Sequence, residues 1–263
     1  MKRRLYYAAI LMAVVLLAAG SLTAYWRLER FLIADARFVM APPPEYGEAS
    51  PSLSIQGIEH VSRWRVRTVF REDFGRSVYL LSLTERRRAL LEIDWVKEAS
   101  VSRAWPNTIQ VKIVERKPVA FVPLPSAPDA AASFALIDEE GVILRPRTPA
   151  RFALPVLVGI QPGAEAALRR DRVHRMLRLL EELGSLGERV SEVHVGDPEN
   201  LQIMEQIDGK AVALILGNRN FLARLERFHQ RYPEIHKRLP EAGTFDLRLE
   251  DRITAVEVNA RVR

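Results

Sequence analysis

The sequence contains no cysteine, which excludes disulfides, thiolate metal sites and cysteine nucleophiles. It has no glycine-rich phosphate loop, and no serine lies in a G-x-S-x-G or S-x-x-K frame, so the usual nucleotide and acyl-transfer signatures are missing. Histidine is scarce. His60, His174, His194, His229 and His236 show no i, i+4 pair and no H-E-x-x-H frame, so no helical zinc site is encoded. Asp138, Glu139 and Glu140 are adjacent carboxylates, but Gly141 beside them reads as a solvated turn rather than an acid–base pair. No catalytic, metal or cofactor residue is expected. The excess of basic residues, +6 overall, is spread along the chain without any nucleic-acid-binding signature. It suits anionic lipid or wall polymers outside the cytoplasm.

What the sequence does have is one long apolar run. Tyr6 to Tyr25 carries no charge and is about 20 residues long, enough to cross a bilayer core as a helix. Tyr6, Tyr7, Tyr25 and Trp26 bracket it as interfacial aromatics do. Leu22-Thr23-Ala24 could serve as a signal-peptidase site, but signal cores run about 7–15 residues, so an uncleaved anchor is expected. Lys2, Arg3 and Arg4 before the run nearly balance Arg27, Arg30 and Arg37 after it. The free amino terminus tips the orientation towards a cytoplasmic N-terminus.

The expected organisation is a tail at 1–5, a transmembrane helix at 6–25, a juxtamembrane linker at 26–52, a first domain at 53–122 and a second at 123–263. Pro42, Pro43, Pro44 and Pro51 mark 40–51 as an extended spacer. Leu53 to Gln56 reads as a short strand. Ser62 can cap a helix with Val66, Val69, Phe70 and Phe74 on one face, stopped at Gly75, and Ser82 with Glu85 has capping-box spacing. Ala99 to Arg103 reads as a strand. After the Trp105-Pro106-Asn107-Thr108 turn, Ile109, Val111 and Ile113 alternate with polar residues as in a half-buried strand. The order is β-α-α-β-β.

These residues resemble a known family. Val96-Lys97-Glu98-Ala99, Val101-Ser102-Arg103-Ala104-Trp105-Pro106-Asn107-Thr108-Ile109 and Glu115-Arg116-Lys117-Pro118-Val119-Ala120 are similar to the POTRA module of the FtsQ/DivIB cell-division proteins. Asp94 departs from the proline that many members carry before Trp95. Further on, Ile137-Asp138-Glu139-Glu140-Gly141-Val142, Leu154 to Gly159 and Phe245-Asp246-Leu247-Arg248-Leu249 resemble later landmarks. Between them, Ala164 to Leu183 and Asn220 to Arg231 read as amphipathic helices. The runs Leu201 to Ile207 and Lys210 to Leu216 flank Asp208-Gly209, a hairpin signal. The fold class expected is α+β: a transmembrane helix, a POTRA domain, then a mostly antiparallel β domain with flanking helices.

The resemblance implies a scaffold without enzymatic activity or cofactor. It implies a bitopic inner-membrane protein at the division septum that binds other divisome components, FtsB and FtsL among them, outside the cytoplasm. It takes neither nucleic acid nor a small-molecule substrate. FtsB binding by strand addition falls by resemblance on the terminal strand, Ile253, Thr254, Ala255, Val256, Glu257 and Val258. There Phe245, Leu247 and Leu249 point inward, Glu250-Asp251-Arg252 turns the chain, and an aromatic that many members carry near Glu257 is missing. A second surface, for recruitment, is expected around Arg65, Arg67, Arg71 and Trp105. The arginines of the first domain, including Arg63, Arg76 and Arg86-Arg87-Arg88, read as a solvated face before they read as a docking surface, and Trp64, Trp95 and Trp105 read equally as core or sheet-edge residues or as interface anchors. Two rival classes remain. An envelope chaperone or transport-associated POTRA protein normally carries a β-barrel, for which the remaining length is too short. A wall-directed enzyme would need paired carboxylates or a metal cluster.

Overall fold

The computed structural model describes residues 2–45, 48–125, 133–145 and 152–256. The chain divides into two units, 1–115 and 116–263.

The first unit begins with α1 (Lys2–Ala34). Leu11, Leu16 and Leu17 are each more than 60% exposed on it, and Ile10–Ala34 is long and apolar enough to cross a membrane, with mean hydropathy 1.6. A helix that is apolar all round and covered by no protein has lipid as its natural solvent. It does not stop at Tyr25. Trp26–Ala34 holds neither glycine nor proline, and most of it is leucine, arginine, glutamate and alanine, good helix formers. The helix ends where Asp35 accepts the Arg37 N–H at 2.9 Å and caps a 3-10 turn over Ala36–Phe38.

The spacer reading fails at its start. Met40 is 1% exposed. Its N–H donates to the Arg76 carbonyl at 2.9 Å, its carbonyl accepts from Gly75, and Val78 N–H donates to the Phe38 carbonyl at 2.9 Å. The partners lie far along the chain, so local composition could not reveal them.

β1 (Leu53–Gln56), α2 (Arg63–Val69), α3 (Leu83–Leu91), β2 (Val96–Ala104) and β3 (Thr108–Glu115) follow in the expected order. The sheet order is β1-β3-β2, with β1 parallel and β2 antiparallel to β3. Ile109, Val111 and Ile113 are buried in alternation, and Val66, Phe70, Leu90 and Trp95 of the same unit are buried as well. α2 ends before Phe74, and Ser62 sits at its N-cap without a side-chain bond. Ser82 does cap α3, accepting from Glu85 N–H. Gly57, at φ +78°, lets β1 lie against β3: a Cβ there would stand 2.1 Å from the Ile113 carbonyl oxygen.

In the second unit, β4 (Pro118–Leu124), β5 (Ser133–Asp138), β6 (Ile143–Leu144), β7 (Val156–Val158), α4 (Ala166–Leu183), β8 (Val190–His194), β9 (Leu201–Ile207), β10 (Lys210–Gly217), α5 (Phe221–Arg238), β11 (Thr244–Asp246) and β12 (Thr254–Ala255) build one sheet and its cover. The order is β12-β11-β10-β9-β8-β7-β4-β5-β6. The β4–β7, β7–β8 and β10–β11 pairs are parallel and the others antiparallel. Val173, Met176 and Leu179 of α4 and Phe221, Leu225 and Phe228 of α5 pack with Ile203, Leu214 and Phe245 in one core. α5 runs past Arg231 and through Pro233, because Tyr232 and Ile235 continue its apolar stripe against the sheet and packing outweighs the lost N–H bond. Asp138 is 2% exposed, not solvated. It accepts the Glu140 and Val142 N–H groups and Arg116 at 2.6 Å, and so ties the turn together.

Candidate partner interface

The terminal edge of the large sheet is built by β11 and β12. β11 is held parallel to β10 by bonds from Ala213 N–H to the Gly243 carbonyl (2.8 Å) and from Leu247 N–H to the Ile215 carbonyl (2.9 Å). β12 returns antiparallel, with Phe245 opposite Ala255 and Asp246 opposite Thr254. Val256 N–H donates to the Thr244 carbonyl at 2.9 Å. In an antiparallel ladder, successive residues turn their N–H and C=O to opposite sides. Thr254 and Val256 therefore face β11, and the N–H and C=O of Ala255 face the open edge. The side chains alternate in the other sense: Ile253 and Ala255 pack on the core, while Thr254 and Val256 are exposed. Glu257 and Val258 lie outside the described residues. Beside the edge is a recess lined by Leu239, Pro240, Ala242, Thr244, Ala255 and Val256.

The turn into β12 is fixed by arginines. Arg248 grips Asp246 at 2.6–3.0 Å and reaches the Asn200 side-chain oxygen at 2.5 Å. The Arg248 hydrogen bonds outweigh burial and hold the Asp246 carboxyl below its ordinary range. From α5, Arg227 donates to the Glu250 carbonyl at 2.9 Å. Arg224 donates to the Leu216 and Arg248 carbonyls. Arg224 is only 7% exposed, and burial pushes its pKa down. Sequence reading did not single it out, although it falls on the apolar stripe Phe221, Arg224, Leu225, Phe228. Leu249, expected to point inward, is 46% exposed, because the bonding to β10 and the alternation both end at the buried Leu247.

In the first unit, Arg65 and Arg67 are half-buried and Arg71 is exposed. Arg67 donates to the Glu48 carbonyl, and with Arg71, Trp64, Phe74, Pro43 and Pro44 it lines a recess. Trp105 stands instead against Phe38, edge to face at 5.6 Å. Trp95 is core, stacked on His60 at 4.8 Å, whereas Trp64 and Trp105 are more than half exposed. Several arginines serve the fold: Arg86 pairs with the buried Asp73 at 2.7 Å, and Arg87 binds the Ala99 carbonyl. His60, His194 and His229 each face a glutamate, Glu115, Glu192 and Glu205. Among the described residues, no group of three or more histidines and carboxylates could hold a metal ion.

Comparison with known proteins bears on both units. Residues 51–116 match the FtsQ-type POTRA domain, and residues 129–248 match the C-terminal domain of the cell division proteins FtsQ/DivIB. The chain belongs to the FtsQ/DivIB family. It is 32% identical to the cell division protein FtsQ of Koribacter versatilis over 213 residues, 78% of this chain and 59% of that relative's length. Against the FtsQ of Novosphingobium aromaticivorans it is 28% identical over 253 residues, 93% of this chain and 72% of the relative. An N-terminal helix able to span a membrane fits a single-pass member of this FtsQ/DivIB family. The match to the FtsQ/DivIB C-terminal domain stops at residue 248, before β12.

Proposed function

We propose that this protein is a bitopic inner-membrane scaffold of cell division, with its N-terminus in the cytoplasm and both units outside it, concentrated at the septum. Its second unit binds the FtsB–FtsL pair by accepting a partner strand along β12. The first unit carries a separate recruitment surface around Arg65, Arg67 and Arg71, from which Trp105 stands apart against Phe38. The scaffold works by binding alone. The observation that carries this reading is the open backbone of Ala255 at the end of a nine-stranded sheet, beside a recess that can take a partner side chain. An unpaired strand edge is a template for another strand.

The edge geometry makes the test directional. Proline has no N–H to donate. Ala255→Pro removes a donor that faces the partner, and FtsB–FtsL affinity should fall about tenfold or more, close to 1.4 kcal/mol, with thermal stability kept. Val256→Pro removes the bond to Thr244 and should lower the melting temperature of the second unit. Partner titration and thermal unfolding of the full chain read both. Parent-like binding by Ala255→Pro would end the strand-addition reading.

A further inference from the structure

Where α1 leaves the apolar run, the first unit gathers aromatic side chains from separate stretches of sequence. The side chain of Tyr25, the last residue of that run, lies next to that of Tyr79. Further along the same helix, the Leu32 carbonyl accepts from Ser77 Oγ at 2.7 Å. The two contacts on α1 are about 10 Å apart along the helix axis. The 77–79 segment therefore runs beside the helix, back towards the bilayer. Phe31 meets Phe38 edge to face at 5.5 Å, and Phe38 meets Trp105 in the same way.

This segment is held rigidly. Arg103 donates to the Val78 carbonyl at 2.6 Å, the Tyr79 carbonyl at 3.2 Å and the Leu81 carbonyl at 2.5 Å. Leu80 N–H closes the turn on the Ser77 carbonyl at 3.0 Å. Yet the side chain at its tip, Leu80, is 46% exposed, as are Trp105 at 53% and Trp26 at 60%. The fold spends a fixed guanidinium on holding a leucine out into its surroundings. A tyrosine that closes the uncharged run of a spanning helix sits at the headgroup boundary. Tyr79 lies beside that tyrosine, and Leu80 is the next residue. Arg27 and Arg30 on the same stretch of α1, and Arg76 next to Ser77, are exposed and suit anionic headgroups.

We infer that the Ser77–Leu81 turn and Trp105 form a membrane-contact surface, seated in the headgroup layer of the bilayer that α1 crosses. The aromatic belt of the helix is thus completed by the folded domain, and the first unit rests on lipid instead of hanging from a free tether. The inference depends on α1 spanning the membrane.

The absence of cysteine makes the test clean. Leu16→Cys, Leu80→Cys and Val114→Cys each create one labelling site at an exposed position, and thermal unfolding checks that each variant keeps its fold. The full chain carrying a nitroxide at one site is placed in vesicles of phosphatidylcholine and phosphatidylglycerol. Collision with oxygen is then compared with collision with a water-soluble nickel complex. Position 16 should read as deep bilayer and position 114 as water. Position 80 should read as the interface, with nickel collisions several-fold fewer than at 114. Tyr79→Ala, which removes the ring beside Tyr25, should shift position 80 towards the aqueous reading. An aqueous reading at 80 with 16 still deep would overturn the membrane seat alone. An aqueous reading at 16 would overturn the spanning helix, and the seat with it.

Discussion

The two candidate binding surfaces are made of different material. On the second unit, the edge at Ala255 offers backbone groups, with small side chains around them. On the first, arginines and exposed tryptophans offer charge and aromatic area. A backbone edge reads strand conformation and tolerates side-chain exchange, whereas a charged face depends on ionic strength. One protein can therefore hold two partners by physically independent means. The units are also tied off independently. The first closes through Glu115, which accepts the N–H groups of Glu59, His60 and Val61 at 2.8–3.0 Å. The second closes through Arg116, bound to Asp138 and Glu140.

The largest effect should come from breaking one closure and watching the other. Glu115→Ala leaves three backbone donors without their acceptor and should cost the first unit about 3 kcal/mol, read by hydrogen exchange at residues 59–61. FtsB–FtsL binding by the second unit should persist. Burial pushes the Glu115 carboxyl up, but the bonds from Val61, His60 and Glu59 outweigh it and the net shift is down. A depressed carboxylate stabilises above the unfolded value, about 4.3, and that contribution is lost as pH falls through the folded pKa. Acid should thus weaken the first unit below about pH 4, and Glu115→Gln should flatten that part of the profile. Loss of partner binding in a folded Glu115→Ala chain would contradict the independence of the two surfaces.

How much of this was legible depended on sequence distance. Asp208-Gly209 announced its hairpin, and both residues take the positive φ that the turn demands, 51° and 79°. The β3 alternation named the buried residues of that strand correctly, since each strand face reports its own environment. Met40, Arg103 and Arg224 were misjudged or passed over, because each is defined by carbonyls or apolar groups dozens of residues away. Proline-flanked methionine looks like linker, and an arginine on an amphipathic helix looks like surface. The parallel pairs of the large sheet were equally invisible, since the choice of neighbouring strand is a tertiary matter. The edge was anticipated through family resemblance and alternation. Which amide faces outward required the register.

A middle-sized effect is expected on the first surface. Arg65, Arg67 and Arg71 changed together to glutamate should reduce midcell enrichment about tenfold and leave the fold intact, since rim charges act mainly through long-range attraction. In the purified chain, raising salt should weaken whatever binds there far more than it weakens FtsB–FtsL binding at β12. Unchanged localisation would leave these arginines as a solvated face, and the contrast between the surfaces would rest on the edge alone.

The smallest effect is expected at Val256, and it sharpens the contrast most. Its N–H is committed to Thr244, and its side chain is 38% exposed beside the recess with Leu239 and Pro240. Val256→Thr keeps the β-branched shape that suits a strand and exchanges one methyl for a hydroxyl. If a partner side chain packed tightly on that methyl, losing it would cost about 0.8 kcal/mol, or roughly fourfold in affinity, and burying the hydroxyl without a bond would add to that. Recognition through the backbone of Ala255 predicts less, about twofold or below, because the bonds that carry it are untouched. Titration of the variant with FtsB–FtsL decides. A loss of tenfold or more with unchanged melting would mean that side chains in the recess carry the contact and that both surfaces of this protein are read by their side chains.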